Sequence, residues 1–219
     1  DYLGDTRTHA LNNCDNTGLA TISLKTTPEW LNNLQIFREN YFPELEVESK
    51  STRLVNGVAA SYYGVSNVGV ALHRSKYENG GDFPDFLLSL ILKAYRKKFG
   101  QEKFDLILYV PPTKSGDLVK NFAIKVSQVL RFPISHNLNK HRITSEQKIF
   151  ENSYLKSDNV KDAFLYKTPN EINGKSILLI DDIFDSGATI KEIGRYLTNL
   201  GAAKIAPLVI ARTVGGDLV

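Results

Sequence analysis

Ser176-Ile177-Leu178-Leu179-Ile180-Asp181-Asp182-Ile183-Phe184-Asp185-Ser186-Gly187-Ala188-Thr189 joins an apolar run to a segment of helical period. Residues 176–180 read as a buried strand. Ile190, Ile193, Leu197 and Leu200 then share one face of a helix over 188–200, ended by Gly201. Upstream, Phe104–Val110 reads as a second buried strand, stopped by Pro111-Pro112. Downstream, Ala206–Ala211 reads as a third. Asp82 is placed to cap a helix over 83–99, with Phe86, Leu87, Leu90, Ile91 and Ala94 as its buried stripe and Gly100 as its stop. A further helix spans 117–130, with Leu118, Phe122, Val126 and Val129 inward. Strands alternating with helices predict an α/β domain with a mostly parallel sheet flanked by helices.

The remainder is less regular. Val58–Leu72 holds a short strand or the start of a helix, and its pattern suits both. Thr27-Pro28 opens a helix to residue 41 that carries Trp30, Leu31, Leu34 and Phe37. Residues 1–26 are polar with little period. This divides the chain into 1–26 (a linker or worn module), 27–55 (a helical connector) and 56–219 (the main domain).

The chain has 219 residues, 42% hydrophobic and 23% charged, enough for one sizeable core. Its net charge of +3 suits anionic small ligands and does not argue for nucleic acid. The densest basic run, Lys93–Lys103, falls on a helix and reads as a solvated face. Cys14 is the single cysteine, which excludes an internal disulfide and a cysteine-rich zinc cluster. No apolar run approaches the roughly 20 residues that span a bilayer, and no signal peptide is evident. The expected location is cytoplasmic. The missing initiator Met and a start in mid-pattern suggest a fragment.

Ligands of such sheets bind outside the carboxyl ends of the strands. There Asp181 and Asp182 precede Asp185-Ser186-Gly187-Ala188-Thr189. Gly187 permits close backbone approach to an anion. Backbone amides, a helix N-terminus and the hydroxyls of Ser186 and Thr189 then make a phosphate cradle. Acids beside such a cradle make sense if they face neutral ribose hydroxyls, or a Mg²⁺ carried by the ligand. Simple helix capping would need one acid, not three. An ATPase reading lacks any G-x-x-x-x-G-K-[ST]. A phospho-acceptor receiver would need more than the 37 residues that follow Asp182.

Residues 177–189 resemble the phosphoribosyl-pyrophosphate (PRPP) motif of type I phosphoribosyltransferases. That motif is four apolar residues, two acids, two apolar residues, then Asp-[Ser/Thr]-Gly-x-Thr. The resemblance implies that Asp181 and Asp182 hold the ribose hydroxyls and that Asp185, Ser186, Gly187, Ala188 and Thr189 wrap the 5′-phosphate. Ile183 would lie on the base side. Asp185 would contact the base or exchange a proton with it. The family's pyrophosphate loop corresponds to Thr113, Lys114, Ser115 and Gly116, where an ordinary turn capped by Asp117 is the alternative. Residues 139–160, with Lys140, Arg142, Thr144, Gln147 and Lys148, then Asn159–Phe164, resemble the ComF branch. There the segment is a flexible hood loop, and Arg142 and Lys148 would neutralise the leaving pyrophosphate. A solvated polar loop is the alternative. Lys76-Tyr77 also matches ComF-type sequences, without an assigned role.

ComF-like domains with Tyr62-Tyr63-Gly64 and Asp82-Phe83-Pro84-Asp85 before the core are similar to those fused behind RecQ-family DNA helicases. Asn13-Cys14-Asp15-Asn16 resembles a worn RecQ zinc module, with Leu11 and Thr17 at neighbouring ligand positions, so no zinc is expected. The implied partners are PRPP or a nucleotide, helicase domains in cis, and DNA through them, with no membrane. The implied cofactor is Mg²⁺ bound with PRPP. Two functions follow: transfer of phosphoribose to an unknown acceptor, or a non-catalytic nucleotide-sensing or DNA-contacting module.

Overall fold

The structure, a computed structural model, describes residues 7–14, 20–25, 41–63, 67–112, 116–141 and 159–213. The chain forms two compact units, Asp1–Phe42 and Pro43–Val219. In the first, β1 (Arg7–Cys14) pairs antiparallel with β2 (Ala20–Lys25), Cys14 lying opposite Ala20. The sequence predicts no strand there. The alternating Ala20-Thr21-Ile22-Ser23-Leu24 carries the strand period that its polar neighbours mask. The predicted helix over 28–41 lies almost wholly outside the described residues.

In chain order the second unit holds β3 (Glu44–Leu45), β4 (Gly57–Tyr63), α1 (Asn67–Tyr77), α2 (Asp85–Phe99), β5 (Leu106–Tyr109), α3 (Leu118–Leu130), β6 (Leu138–Lys140), β7 (Phe164–Tyr166), β8 (Ser176–Phe184), α4 (Ala188–Asn199) and β9 (Lys204–Thr213). One sheet runs β3-β4-β9-β8-β5. Its last four strands are parallel, and β3 is an antiparallel edge. This is the mostly parallel α/β sheet that the alternation of elements predicts. Val58–Leu72 proves to hold both of its alternatives, all but the first residue of β4 and the start of α1.

Both faces of the sheet are covered, so its central strand reads as one apolar run. Ile177 to Ile180 are all fully buried. Successive side chains of a strand point to opposite faces. Ile177 and Leu179 pack in one cluster with Ile190, Ile193 and Leu197 of α4 and Phe164 and Tyr166 of β7. Leu178 and Ile180 lie outside that cluster, and the alternation turns them to the other face. Leu45, Val47 and Leu54 also join the α4 cluster. The end of the predicted connector, 27–55, is therefore core of the second unit.

Three predicted stripes shift. Pro84 is the N-cap residue of α2, with ψ 133°, and no side chain caps the helix. Asp82 thus lies outside α2, because a residue before proline is held extended. The start moves to residue 85 and the buried face becomes Leu87, Ile91, Leu92, Ala94 and Tyr95. Phe86 faces solvent and Leu90 is only half-buried. In α3, Val119 and Ala123 are buried while Val129 is exposed. Phe83, ahead of α2, stacks on Phe122 of α3 at 4.9 Å and joins the two helices. In α4, Leu200 falls just beyond the helix, half-buried. Among the described residues no helix is long and apolar enough to cross a membrane.

Candidate functional site

The strand β8 runs past the predicted end at Ile180, through both acids, to Phe184. On the β9 side its pairing continues, with Asp181 opposite Val209, Ile183 opposite Ala211 and Phe184 opposite Arg212. On the β5 side pairing ends at Tyr109 opposite Ile180, and the Val110 amide makes the last bond, to the Ile180 carbonyl at 2.9 Å. Pro111 and Pro112 have no N–H and cannot extend that ladder. Residues 181–184 therefore extend beyond the paired end of β5 at the carboxyl edge of the sheet.

Asp181 and Asp182 stand on this overhang, each only 8% exposed. Each is oriented by the amide that follows it. The Asp182 N–H donates to Asp181 Oδ1 at 2.9 Å, and the Ile183 N–H to Asp182 Oδ1 at 2.8 Å. Two lysines come to them from distant parts of the chain. Lys76, near the end of α1, donates from Nζ to Asp182 Oδ2 at 2.8 Å. Burial pulls its ammonium down. The charge and hydrogen bond of Asp182, with Tyr77 and Asp181 assisting, outweigh that and hold it above its ordinary value. Lys140, the last residue of β6, feels both carboxylates. Burial still drives it below the usual lysine range, and Lys76 adds to the fall. Lys140 Nζ also lies 6.0 Å from the centre of the Phe164 ring.

The loop after β8 turns back at Gly187, whose φ of 75° lies in the left-handed region. A Cβ there would stand 2.8 Å from the Phe184 ring, so the loop closes over Phe184 only with glycine. Gly187 is the N-cap of α4, and no side chain caps the helix by a hydrogen bond. The nearest substitute is Ser186 Oγ, accepting from the Ala188 N–H at a long 3.4 Å. The first turn carries no acid. The positive end of the helix thus faces the same edge as the acids. Asp185 accepts from Thr213 Oγ1 at 3.0 Å, which ties the loop to the end of β9.

Of the predicted site residues, the fold brings together Asp181, Asp182, Ile183, Asp185, Ser186, Gly187, Ala188 and Thr189 on one strand-to-helix connection. Gly116 is described, in a left-handed turn before α3. Thr113, Lys114, Ser115, Arg142 and Lys148 lie outside the described residues. Lys76 and Thr213 gain roles that spacing did not suggest, since Lys76 is 106 residues from its partner. The signal available for Lys76 was its match to ComF-type sequences. Among the described residues no group of three or more His, Cys, Asp or Glu side chains is arranged to hold a metal ion.

Burial, and then the neighbouring Asp182 carboxylate, push the Asp181 carboxyl well above the usual carboxylate range. A carboxyl with a raised folded-state pKa binds its proton more tightly in the folded chain. That stabilises the fold in acid, below the unfolded value near ~3.9, and the benefit is lost as pH climbs through the folded value. Asp181→Asn cannot ionise. It is expected to melt a few degrees above wild type at pH 8, with the gap narrowing toward pH 4, as thermal denaturation across that range would read. A gap independent of pH would place the ionisation of Asp181 outside the stability of the fold.

Residues 122–215 match the family model described as the phosphoribosyl transferase domain. The chain is similar to the DNA utilization protein YhgH of Escherichia coli K12, 26% identical over 155 residues, covering 65% of this chain and 66% of that protein. The Salmonella typhimurium counterpart is 24% identical over the same length. The chain thus spans just under two thirds of these relatives. Among solved structures, the Bacillus subtilis glutamine PRPP amidotransferase complexed with ADP and GMP superposes with TM-score 0.36 at 21% identity, over 49% of this chain and 22% of that one. A structure described as the allosteric regulatory enzyme of purine biosynthesis gives TM-score 0.43 at 18% identity, over 64% and 30%.

Proposed function

We propose that this chain, which carries a phosphoribosyltransferase-like domain, binds PRPP or a ribose 5-phosphate nucleotide at residues 181–189. The observation that carries the reading is the buried acid pair on the β8 overhang, followed at once by the uncapped N-terminus of α4. Asp181 and Asp182 accept from the ribose 2′ and 3′ hydroxyls. The amides and hydroxyls of 185–189 take the 5′-phosphate. Ile183 borders the base, and Asp185 contacts the base or exchanges a proton with it. The residues 113–116 receive the diphosphate, with Arg142 and Lys148 closing over it.

In the catalytic form of this reading, an acceptor nitrogen bonds to ribose C1 as the C1–O bond to pyrophosphate breaks and pyrophosphate leaves with the bonding electrons. Mg²⁺ fits as part of the ligand. It would be carried on the diphosphate oxygens of PRPP, near Asp181 and Asp182, with no direct protein ligand. Bound there, it would neutralise the leaving diphosphate.

Calorimetric titration with PRPP and Mg²⁺ is expected to show saturable binding, and a panel of bases should elicit pyrophosphate release. Binding without release for any base would leave a binding module. Absence of binding would sink the whole reading. The relatives described as DNA utilization proteins favour a second reading, in which the domain is a non-catalytic DNA-contacting module. It requires affinity for single-stranded DNA that falls steeply with salt.

A further inference from the structure

We infer that Thr213 is a positioning residue of this site: its hydroxyl holds the Asp185 carboxylate against the end of β9 and so keeps that carboxylate out of the phosphate cradle of 186–189. The inference rests on the phosphoribose reading above and assigns a role to a residue that the 181–189 motif does not contain.

The cradle has a competitor in its own loop. Asp185 lies two residues ahead of Gly187, the N-cap of α4. A helix N-terminus attracts any anion, and an aspartate side chain close to it is drawn to its amides. A carboxylate seated there would cap α4 and repel a ligand phosphate from the same amides. The structure has a different arrangement. Asp185 Oδ1 accepts from Thr213 Oγ1 at 3.0 Å. It is Ser186 Oγ that meets the Ala188 N–H, at 3.4 Å. The acid is turned to β9, and a neutral hydroxyl stands at the amide. A neutral acceptor yields to a phosphate more readily than a carboxylate does, because hydrogen bonds to a charged group are roughly twice as strong.

Strand register explains why Thr213 is the residue that does this. Phe184 pairs with Arg212 in parallel, so the next residues along the two strands are Asp185 and Thr213. β8 ends at Phe184, whereas β9 runs on to Thr213. Thr213 is fixed from its other side by pairing with Tyr63 of β4. Its hydroxyl is thus presented by an anchored strand end at the point where Asp185 leaves the sheet. Arg212, beside it, lies over the Phe184 ring, 6.0 Å from its centre. That ring is the one a Cβ on Gly187 would strike. The last two residues of β9 therefore set both the floor of the loop and the place of its first acid.

The experiment is calorimetric titration of the whole chain with ribose 5-phosphate, for wild type, Thr213→Val, Thr213→Ser, and Thr213→Val combined with Asp185→Ala. Valine keeps the shape of threonine and removes the donor, and serine keeps the donor. Thr213→Val should lower affinity by about tenfold, the equivalent of one hydrogen bond to a charged group. Thr213→Ser should stay within about threefold of wild type. Removing the acid from the Thr213→Val chain should bring affinity back to within about threefold of wild type, a rescue that a merely structural role of Thr213 would not produce. Thermal melts establish that each variant is folded, and Thr213→Ala takes the place of Thr213→Val if the latter is not. Unchanged affinity on loss of the hydroxyl, or a loss that removal of the Asp185 carboxylate fails to reverse, overturns this inference. In either case wild-type binding leaves the phosphoribose reading intact. Wild type that does not bind ribose 5-phosphate overturns both.

Discussion

Replacing Asp181 and Asp182 together by Asn is expected to lower PRPP affinity by at least about 100-fold, the equivalent of losing two charge-assisted hydrogen bonds at roughly 1.5 kcal/mol each. In the proposed complex the carboxylates would accept from the ribose hydroxyls with charge that an amide lacks. Their replacement also leaves the Lys76 ammonium, held by Asp182 at 2.8 Å, without its anion. The effect on folding is expected to be small, because two consequences oppose each other. Removing a buried ionisable group at 181 stabilises the chain above acid pH. Removing the partner of Lys76 destabilises it. Calorimetry with PRPP and a thermal melt on the same sample separate binding from folding. Unchanged affinity in a folded double variant would move the ribose off this strand end.

Gly187→Ala should damage both the site and the fold. The residue sits at φ 75°, and the added methyl would meet the Phe184 ring at 2.8 Å. Left-handed strain and overpacking each cost about 1–3 kcal/mol. The melting temperature should fall by several degrees, and affinity for ribose 5-phosphate by at least about tenfold as the amides of 186–189 leave their places. Gly174→Ala is the control. Its φ is 72°, yet nothing lies within 4 Å of the new methyl. It should share the backbone penalty and leave binding alone. Loss of binding in both variants would trace the effect to global stability rather than to the loop.

The parts of the fold legible in the sequence were those set by local rules. The strand at Ile177–Ile180, the helix after it and the loop between are a contiguous pattern whose apolar residues occupy the faces their spacing implies. Leu87, Ile91 and Ala94 of α2 and Leu118, Phe122 and Val126 of α3 are buried as their spacing implies, while Phe86 and Val129, at the margins of those stripes, face solvent. In α2 the start is governed by Pro84, whose effect on Phe83 moved the first turn to residue 85. The extension of β8 through two acids was hidden for a different reason. Acids are poor strand formers, and these are kept in place by pairing with β9, a contact no local pattern encodes. The approach of Lys76 and Lys140 is likewise tertiary: α1 and β6 belong to separate stretches of chain, and only the assembled sheet makes them neighbours of the acid pair.

The unequal lengths of β5 and β8 carry a further consequence. A strand segment paired on one side only is a template for another chain, and proteins protect such segments with proline and with inward-pointing charge. Both devices are present here. Pro111 and Pro112 close off the strand that would otherwise lengthen to cover the overhang, and Asp181 and Asp182 put carboxylates on the uncovered stretch itself. A strand end that carries two carboxylates is a poor template for another chain.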